Sequence, residues 1–434
     1  MKHIRAILLL LVVAVLLGGC SFGSAQELID PISPTGTNAD IKDALESFCR
    51  DGYALKTPLT GDFNTSYIFY DLDLDNENEV IVFYQSASDP DRTDMAVMDR
   101  SGGSWSVVSS VEGEGKDVYS IEFCRLDKDD YQEIIVLWDT SVNSSTHMLT
   151  AYDVKLDNAS IALSKIGKSM TVSNYIPVDI DNTGVNELLI FTVSGGLFPS
   201  AKATLYTVDK NGFSARSSTK LDAHIKGYTH IISENTDQGF CVFADAVQAN
   251  KTQMLTELII WSDYYGEIVA PYYSYSSGTT TRTARNSKLC SMDVDGDGYI
   301  EIPLDAPDIT LPEQVEAVDW KQYRSSVLKH ACYTLAVQRD GYQLLIPNKY
   351  FDKISVSYDE ADSKLTVSDS KNNFVFSVMR LSRSSYDEDP ALYKDSIELK
   401  SDLGYIYLAE LGNDSDIKIT AQDLKSMIKS YEGE

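Results

Sequence analysis

Four segments of the chain set carboxylates on alternate residues and close on a glutamate. They are Asp71-Leu-Asp73-Leu-Asp75-Asn-Glu77-Asn-Glu79, Arg125-Leu-Asp127-Lys-Asp129-Asp-Tyr131-Gln-Glu133, Asp179-Ile-Asp181-Asn-Thr183-Gly-Val185-Asn-Glu187 and Asp293-Val-Asp295-Gly-Asp297-Gly-Tyr299-Ile-Glu301. A tight loop of this kind turns several oxygens inward while its second residue (Leu72, Leu126, Ile180, Val294) faces a core. Calcium, a hard cation that takes six to eight oxygen ligands, is the ion such a loop suits. The copies differ. The last is the cleanest, with Gly296 and Gly298 at the turn positions, whereas Leu74 and Asn76 stand there in the first. Thr183 replaces an acid in the third, which keeps Gly184. Arg125 opens the second and is expected to pair with Asp127 or Asp129 rather than surround a metal. A fifth stretch, residues 233–241, keeps the frame but not the carboxylates, and no metal is expected there. The alternative throughout is a hydrogen-bonded acidic turn with solvated charge.

The loops recur because the chain repeats. Their closing positions fall at 79, 133, 187 and, in the degraded copy, 241, with the last at 301. One residue later stand Val80, Ile134, Leu188, Val242 and Ile302; eighteen residues after the closing position stand Val97, Ala151, Leu205 and Ile259. Turn signals follow at Gly102-Gly103, Asp157-Asn158, Asn211-Gly212 and Tyr265-Gly266. Each unit reads as strand, acidic loop, strand, strand, hairpin turn, strand, with alternation in stretches such as residues 81–83 and 134–138. Four short strands in one repeat are the size of a propeller blade, and stacked blades bury a core that no single blade can. The expected fold is mainly β: a β-propeller of about five four-stranded blades over 38–345, with EF-hand-like acidic loops and an N-terminal helix, followed by a small α+β domain over 346–434.

Over roughly residues 60–345 these loops resemble the FG-GAP and VCBS-repeat propellers, whose blades carry an Asp-x-Asp-x-Asp-Gly-x-x-Asp calcium loop. Two departures are plain: no Phe-Gly or Gly-Ala-Pro signature is present, and glutamate replaces the final aspartate. The resemblance implies a calcium-loop lipoprotein of Gram-positive bacteria and a ligand pattern. Positions one, three and five of each loop give side-chain oxygens, position seven a backbone carbonyl, and position nine a carboxylate. On this chain those are Asp293, Asp295, Asp297, Tyr299 and Glu301; Asp71, Asp73, Asp75, Glu77 and Glu79; Asp179, Asp181, Thr183, Val185 and Glu187; and Asp127, Asp129, Tyr131 and Glu133. Structural Ca2+ is the implied cofactor.

The whole sequence fits that setting. It has 434 residues and a formal charge of −28, with 43% hydrophobic residues. So much apolar content argues against disorder, and the acidic balance argues against nucleic acid as a partner. Lys2 and Arg5 precede an apolar run from Ala6 to Leu17 that is too short to span a bilayer and ends in Leu17-Gly18-Gly19-Cys20. This resembles a lipobox: residues 1–19 are expected to be a lipoprotein signal peptide, Cys20 the lipidated residue, and 20–37 a tether. The protein is therefore expected outside the cytoplasm, anchored to the membrane by lipid. The other five cysteines lack CxxC spacing and read as buried thiols.

A helix is expected after Thr37, capped by Thr37-x-x-Asp40, with Ile41, Ala44, Leu45 and Phe48 on one face and Gly52 as its stop. Near the C-terminus, residues 313–320 read as a helical turn, and Thr420-x-x-Asp423 caps a last helix with Leu424, Met427, Ile428 and Tyr431 on its apolar face. There is no P-loop, GxSxG, HExxH or dinucleotide fingerprint, and no catalytic residue is assigned. The tyrosines at 264, 265, 272, 273 and 275 offer aromatic surface suited to sugars or peptides, with hairpin packing as the ordinary alternative. The expected function is a module that binds an extracellular protein or glycan; the alternative is a cell-envelope hydrolase acting on carbohydrate.

Overall fold

The computed structural model describes residues 36–433 except 142–144, 158–159, 237–238, 250–251, 308 and 403. The expected signal peptide, Cys20 and nearly all of the tether lie outside these residues, as do Asn158 and Asp237. The chain is mainly β. Its strands form antiparallel sheets that follow one another along the sequence.

In the first sheet, Tyr53–Lys56 and Ile68–Tyr70 pair with the two ends of Glu79–Ser86, and Asp94–Ser101 and Ser104–Val111 follow. The second is a meander of Asp117–Cys124, Glu133–Asp139, His147–Asp157 and Ser160–Val172. The third contains Asn174–Val178, Glu187–Ser194, Ser200–Asp209 and Gly212–Leu221, and the fourth Ile225–Thr236, Gly239–Gln248, Met254–Ser262 and Glu267–Val269. The fifth begins at the Met292–Glu301 bridge and runs through Glu301–Asp305, Glu316–Arg324, Val327–Val337 and Tyr342–Ile346 to Ile428–Ser430. A sixth sheet joins Ile354–Asp359, Lys364–Asp369, Phe374–Ser382, Tyr405–Leu411 and Ile397–Ser401.

Each acidic loop runs directly into the strand that its closing glutamate opens. The starts of these strands, Glu-Val-Ile-Val-Phe, Glu-Ile-Ile-Val-Leu and Glu-Leu-Leu-Ile-Phe, are buried throughout. Continuous apolar runs of this kind suit strands covered on both faces. Residues 80, 134, 188, 242 and 302, and 97, 151, 205 and 259, have no exposed surface at all. The repeat that is visible in the sequence is thus the part of each sheet farthest from water.

The sheets pack face to face in chain order. Ile81, Phe83 and Val97 meet Val118, Ile134 and Trp138 between the first and second; Ile135 and Leu149 meet Leu188 and Ile190 between the second and third. Leu189 and Leu205 meet Val242 and Ile259, and Phe243 and Leu258 meet Ile300 and Ile302, continuing the series. The other face of the first sheet is closed by helix α1 (Thr37–Phe48), whose Ile41 and Leu45 pack on Val80, Val82 and Ala96. Outer strands also touch. The Leu163 amide donates to Ser109 Oγ and the Ile268 amide to Ser217 Oγ, both at 3.0 Å, so two edge strands have some of their amides satisfied by the neighbouring sheet.

Several local expectations are corrected. Gly36 is the N-cap of α1 and no side chain caps it, so Thr37 and Asp40 form no capping box; Phe48 is largely exposed, at the edge of Tyr84. Residues 313–320 are not a helical turn: Glu316–Arg324 is a central strand of the fifth sheet, where Val318 and Trp320 are buried. The last helix spans Ala421–Met427 behind the expected Thr420–Asp423 capping box, but Ile428 begins a strand and leaves the helix. Pairing with residues 342–344 gives Ile428–Ser430 ladder hydrogen bonds that outweigh the helical period.

Candidate functional site

Four loops share one construction. The closing glutamate is the first residue of the strand that follows the loop and points inward; Glu79, Glu133, Glu187 and Glu301 are 1, 1, 6 and 0% exposed. Its Oε2 accepts the backbone N–H of position two, from Leu72 at 2.7 Å, Leu126 at 2.5 Å, Ile180 at 3.3 Å and Val294 at 3.0 Å. Position two can therefore bury its side chain while its amide is satisfied. The first aspartate folds the turn: Asp71, Asp179 and Asp293 accept the amides of Asn76, Gly184 and Gly298 at 3.1, 2.8 and 2.9 Å. These turns are left-handed at positions four and six: φ is 63° and 71° at Leu74 and Asn76, 54° and 77° at Asn182 and Gly184, and 82° and 86° at Gly296 and Gly298. Glycine adopts such angles freely; Leu74 does so at a cost, so the first loop keeps the conformation against its own sequence.

These turns draw carboxylates together. Asp71, Asp73 and Glu79 bring ligand atoms within 4.8 Å of one another, as do Asp127, Asp129 and Glu133, and Asp179, Asp181 and Glu187; in the last loop the set is Asp293, Asp295 and Asp297. Asp75 is exposed and accepts the Glu77 amide at 2.7 Å. Glu77 and Thr183 are exposed, Tyr131 and Val185 half-buried, and the Tyr299 ring lies 3.4 Å from the Arg324 guanidinium. Burial is the chief cause that pushes the carboxyls of Glu79 and Glu133 up to about 7 and that of Glu301 to about 8, with neighbouring aspartates adding to it. A buried carboxyl in such company binds either a proton or a cation.

Protein groups answer that demand unequally. Arg216 pairs with Glu187 at 2.5 Å and approaches Asp181 at 3.9 Å. Gln322 donates to Asp297 at 2.8 Å and to Glu301, and Arg324 lies 3.6 Å from Asp297. Arg125 pairs neither with Asp127 nor with Asp129, as the sequence suggested; it bonds the Lys128 carbonyl and reaches Asp130 at 3.9 Å, and its loop has no left-handed residue. The first loop keeps its position-one acid and has no basic partner, and among the described residues no lysine or arginine pairs with Asp127, Asp129 or Glu133 of the second loop either. Among the described residues no lysine or arginine forms an ion pair with Asp71, Asp73, Asp75 or Glu79, and Asp71 Oδ1 is buried without a hydrogen-bond partner. An all-oxygen set with an orphaned buried oxygen and no competing base fits a hard divalent cation. In the fourth copy the strands stay paired through the loop frame, Glu234 opposite Cys241 and Thr236 opposite Gly239.

Neighbouring loops touch through position eight. Gln132 Oε1 accepts the Tyr70 hydroxyl at 2.5 Å, the Asn186 amide donates to the Arg125 carbonyl at 2.7 Å, and the Ile300 amide donates to Glu234 Oε2 at 2.6 Å. The acidic turns of the first three sheets are therefore linked in series, and the fourth sheet is linked to the last turn through Glu234. Glu234, read from sequence as part of a decayed loop, props the best-preserved one.

A second set of groups was not legible in the sequence. Residues 60–63, 119–122, 174–175 and 229–231, from the starts of the first four sheets, line a cavity of about 440 Å³. It holds Asp62 and Glu122, and Glu122 accepts a hydrogen bond from the Tyr175 hydroxyl. Burial raises the Glu122 carboxyl above its usual range. His230 presents its Nδ1 to Asp245 at 3.4 Å, and Asp245 is in turn held by buried Arg285 at 2.8 Å, the Thr256 hydroxyl at 2.6 Å and the Ser291 amide at 2.7 Å. The other described histidines pair likewise: His147 with Asp139, His224 with Asp222 and His330 with Asp319. Of the tyrosines expected to offer surface, 264, 265 and 275 are exposed, whereas Tyr272 is buried. The five described cysteines are free thiols.

No family model matches this chain, and no curated protein matches it. Among solved structures, an exo-beta-1,3-galactanase from Clostridium thermocellum is 13% identical and superposes with a TM-score of 0.27 over 84% of this chain and 82% of that one. A superposition that loose transfers neither fold nor activity.

Proposed function

We propose that this chain is an extracytoplasmic, lipid-anchored, calcium-stabilised β-propeller that serves as a binding module for an extracellular protein or glycan. The observation that carries the calcium part is the first loop: three converging carboxylates, an orphaned buried Asp71 oxygen, a strained Leu74 and no basic partner. Asp71, Asp73 and Glu79 would hold the ion, and the other three loops would do so in competition with Arg216, with Gln322 and Arg324, or without a position-one acid. The propeller reading is supported by four antiparallel sheets of similar make packed in chain order, with the 60–63 loop of the first and the first strands of the next three lining one cavity. Membrane attachment rests on the lipobox resemblance at Cys20, and binding on the exposed tyrosines and the cavity.

Calcium that binds only the folded state stabilises it by about 2.7 kcal/mol per site at a hundredfold excess over Kd. Excess chelator is therefore expected to lower Tm by several degrees, and Asp71→Asn or Glu79→Gln to abolish most of that response; Asp297→Asn and Glu301→Gln should remove a smaller share. Equal melting curves in calcium and in chelator would sink the metal reading. The anchor is checked separately: labelled palmitate should enter the wild-type protein in cells and not Cys20→Ser. A glycan array and a crosslinking screen of surface proteins test the binding role.

The hydrolase reading has one observation in its favour. Asp62 and Glu122 are two carboxylates outside the acidic loops that line the same cavity. Turnover of chromogenic glycosides, lost in Glu122→Gln, would establish it.

A further inference from the structure

We infer that the cavity at the starts of the first four sheets is a binding site for a small neutral carbohydrate, held between aromatic walls and a fixed set of donors and acceptors. This deepens the binding-module reading and rests on it. The lining selects by charge. It contains carboxylates, hydroxyls, an amide and an imidazole but no lysine or arginine, so an anionic ligand would find no partner there. Its volume of about 440 Å³ lies within the usual range for small-molecule sites, about 300–1,000 Å³.

The walls are fixed before any ligand arrives. Tyr119 stacks on His147 with ring centres 3.9 Å apart, and His147 is anchored to Asp139 at 2.5 Å. Phe63 packs edge-on against Phe123 at 4.9 Å, which itself stacks on Tyr70 at 3.8 Å. Aromatic faces of this kind pack against the C–H faces of a sugar ring, and rings already held in place lose little freedom on binding.

The polar groups are equally constrained. Glu122 is bonded to Tyr175, and the Asp245–His230 contact through Nδ1 leaves Nε2 as the nitrogen open to a ligand. Asp245 has no exposed surface and is fixed by Arg285, Thr256 and Ser291, so the imidazole is oriented from behind. Asn174 adds both a donor and an acceptor. A polyhydroxylated ring matches this mixture, because each of its hydroxyls both donates and accepts. A polyamine would need both carboxylates free to meet its ammonium groups, and Glu122 is already engaged with Tyr175.

The test is calorimetric titration of the calcium-loaded chain with lactose, cellobiose, laminaribiose and N,N′-diacetylchitobiose, with glucose 6-phosphate and spermidine as charged comparisons. At least one neutral disaccharide is expected to bind saturably, and Tyr119→Ala or Glu122→Ala to weaken it tenfold or more; His230→Gln, which keeps the size and polarity, should cost less. The two charged probes should give no saturable heat. Each variant is first checked for an unchanged calcium-dependent rise in Tm, which separates a lost site from a lost fold. Absence of binding by all four disaccharides overturns the inference, as does saturable binding of spermidine in their place. Glycan-array binding that persists in the cavity variants also overturns it while leaving the binding-module reading intact.

Discussion

Glu257 shows what burial does to a single carboxyl. It is almost fully enclosed in the fourth sheet, accepting the Asp222 amide at 2.5 Å and the Thr280 hydroxyl at 2.8 Å, and burial raises it to about 7 from an ordinary 4.5. The folded state thus keeps a proton that the unfolded chain releases. The stabilisation from the neutral acid is complete below about pH 4.5 and is lost as pH rises through about 7. In excess calcium, denaturation midpoints compared at pH 5 and pH 8 should fall less in Glu257→Gln than in the parent; an equal fall would assign the pH dependence elsewhere. Arg216 poses the opposite case, a cation placed where a metal would go. Arg216→Met should strengthen calcium binding at residues 179–187 several-fold, read as an added tight site in titration, because Glu187 loses its competing partner.

At the scale of elements, the sheets take their form from what covers them. Helix α1 is short and has no side-chain cap, so it owes its stability to Ile41 and Leu45 resting on the first sheet. Leu45→Ala should cost about 2–5 kcal/mol, the range for large-to-small changes in a core. Urea unfolding checks it, and a loss below 1 kcal/mol would mean the helix is dispensable. The acidic loops behave similarly. Left-handed angles at Leu74 and Asn76 are imposed by Asp71 and by the inward Glu79, whereas the second loop, which begins with Arg125, does not adopt them.

At the scale of the molecule, the chain returns to close its own fifth sheet. Ile428–Ser430 pairs with Tyr342–Ile346, and the Cys290 amide donates to the Glu432 carbonyl at 2.9 Å. Ending the chain at Met427 should speed amide exchange at residues 289–292 and 342–346 while leaving 133–139 protected, since the second sheet has no contact with that strand. Uniform exchange across all three regions would show that the C-terminal strand is not what holds the fifth sheet.

The sequence by itself determined the repeat: its acidic loops, the buried positions one and eighteen residues after each closing glutamate, and the order of strands within a unit. It could do so because each of these follows from local spacing, with continuous apolar runs entering from a tight turn. The ends of the chain were less legible. Residues 316–324 and 428–430 are strands because a neighbouring strand supplies their hydrogen bonds, and no local pattern records a partner as distant as Tyr342 is from Ser430, 88 residues away. Only the tertiary structure decided which loops are met by a protein side chain, since Arg216, Gln322 and Arg324 reach their carboxylates from other strands. It also assembled Glu122, Tyr175 and His230 around one cavity from three different sheets. Spacing along the chain fixes which residues share a face, and packing between sheets fixes which faces meet.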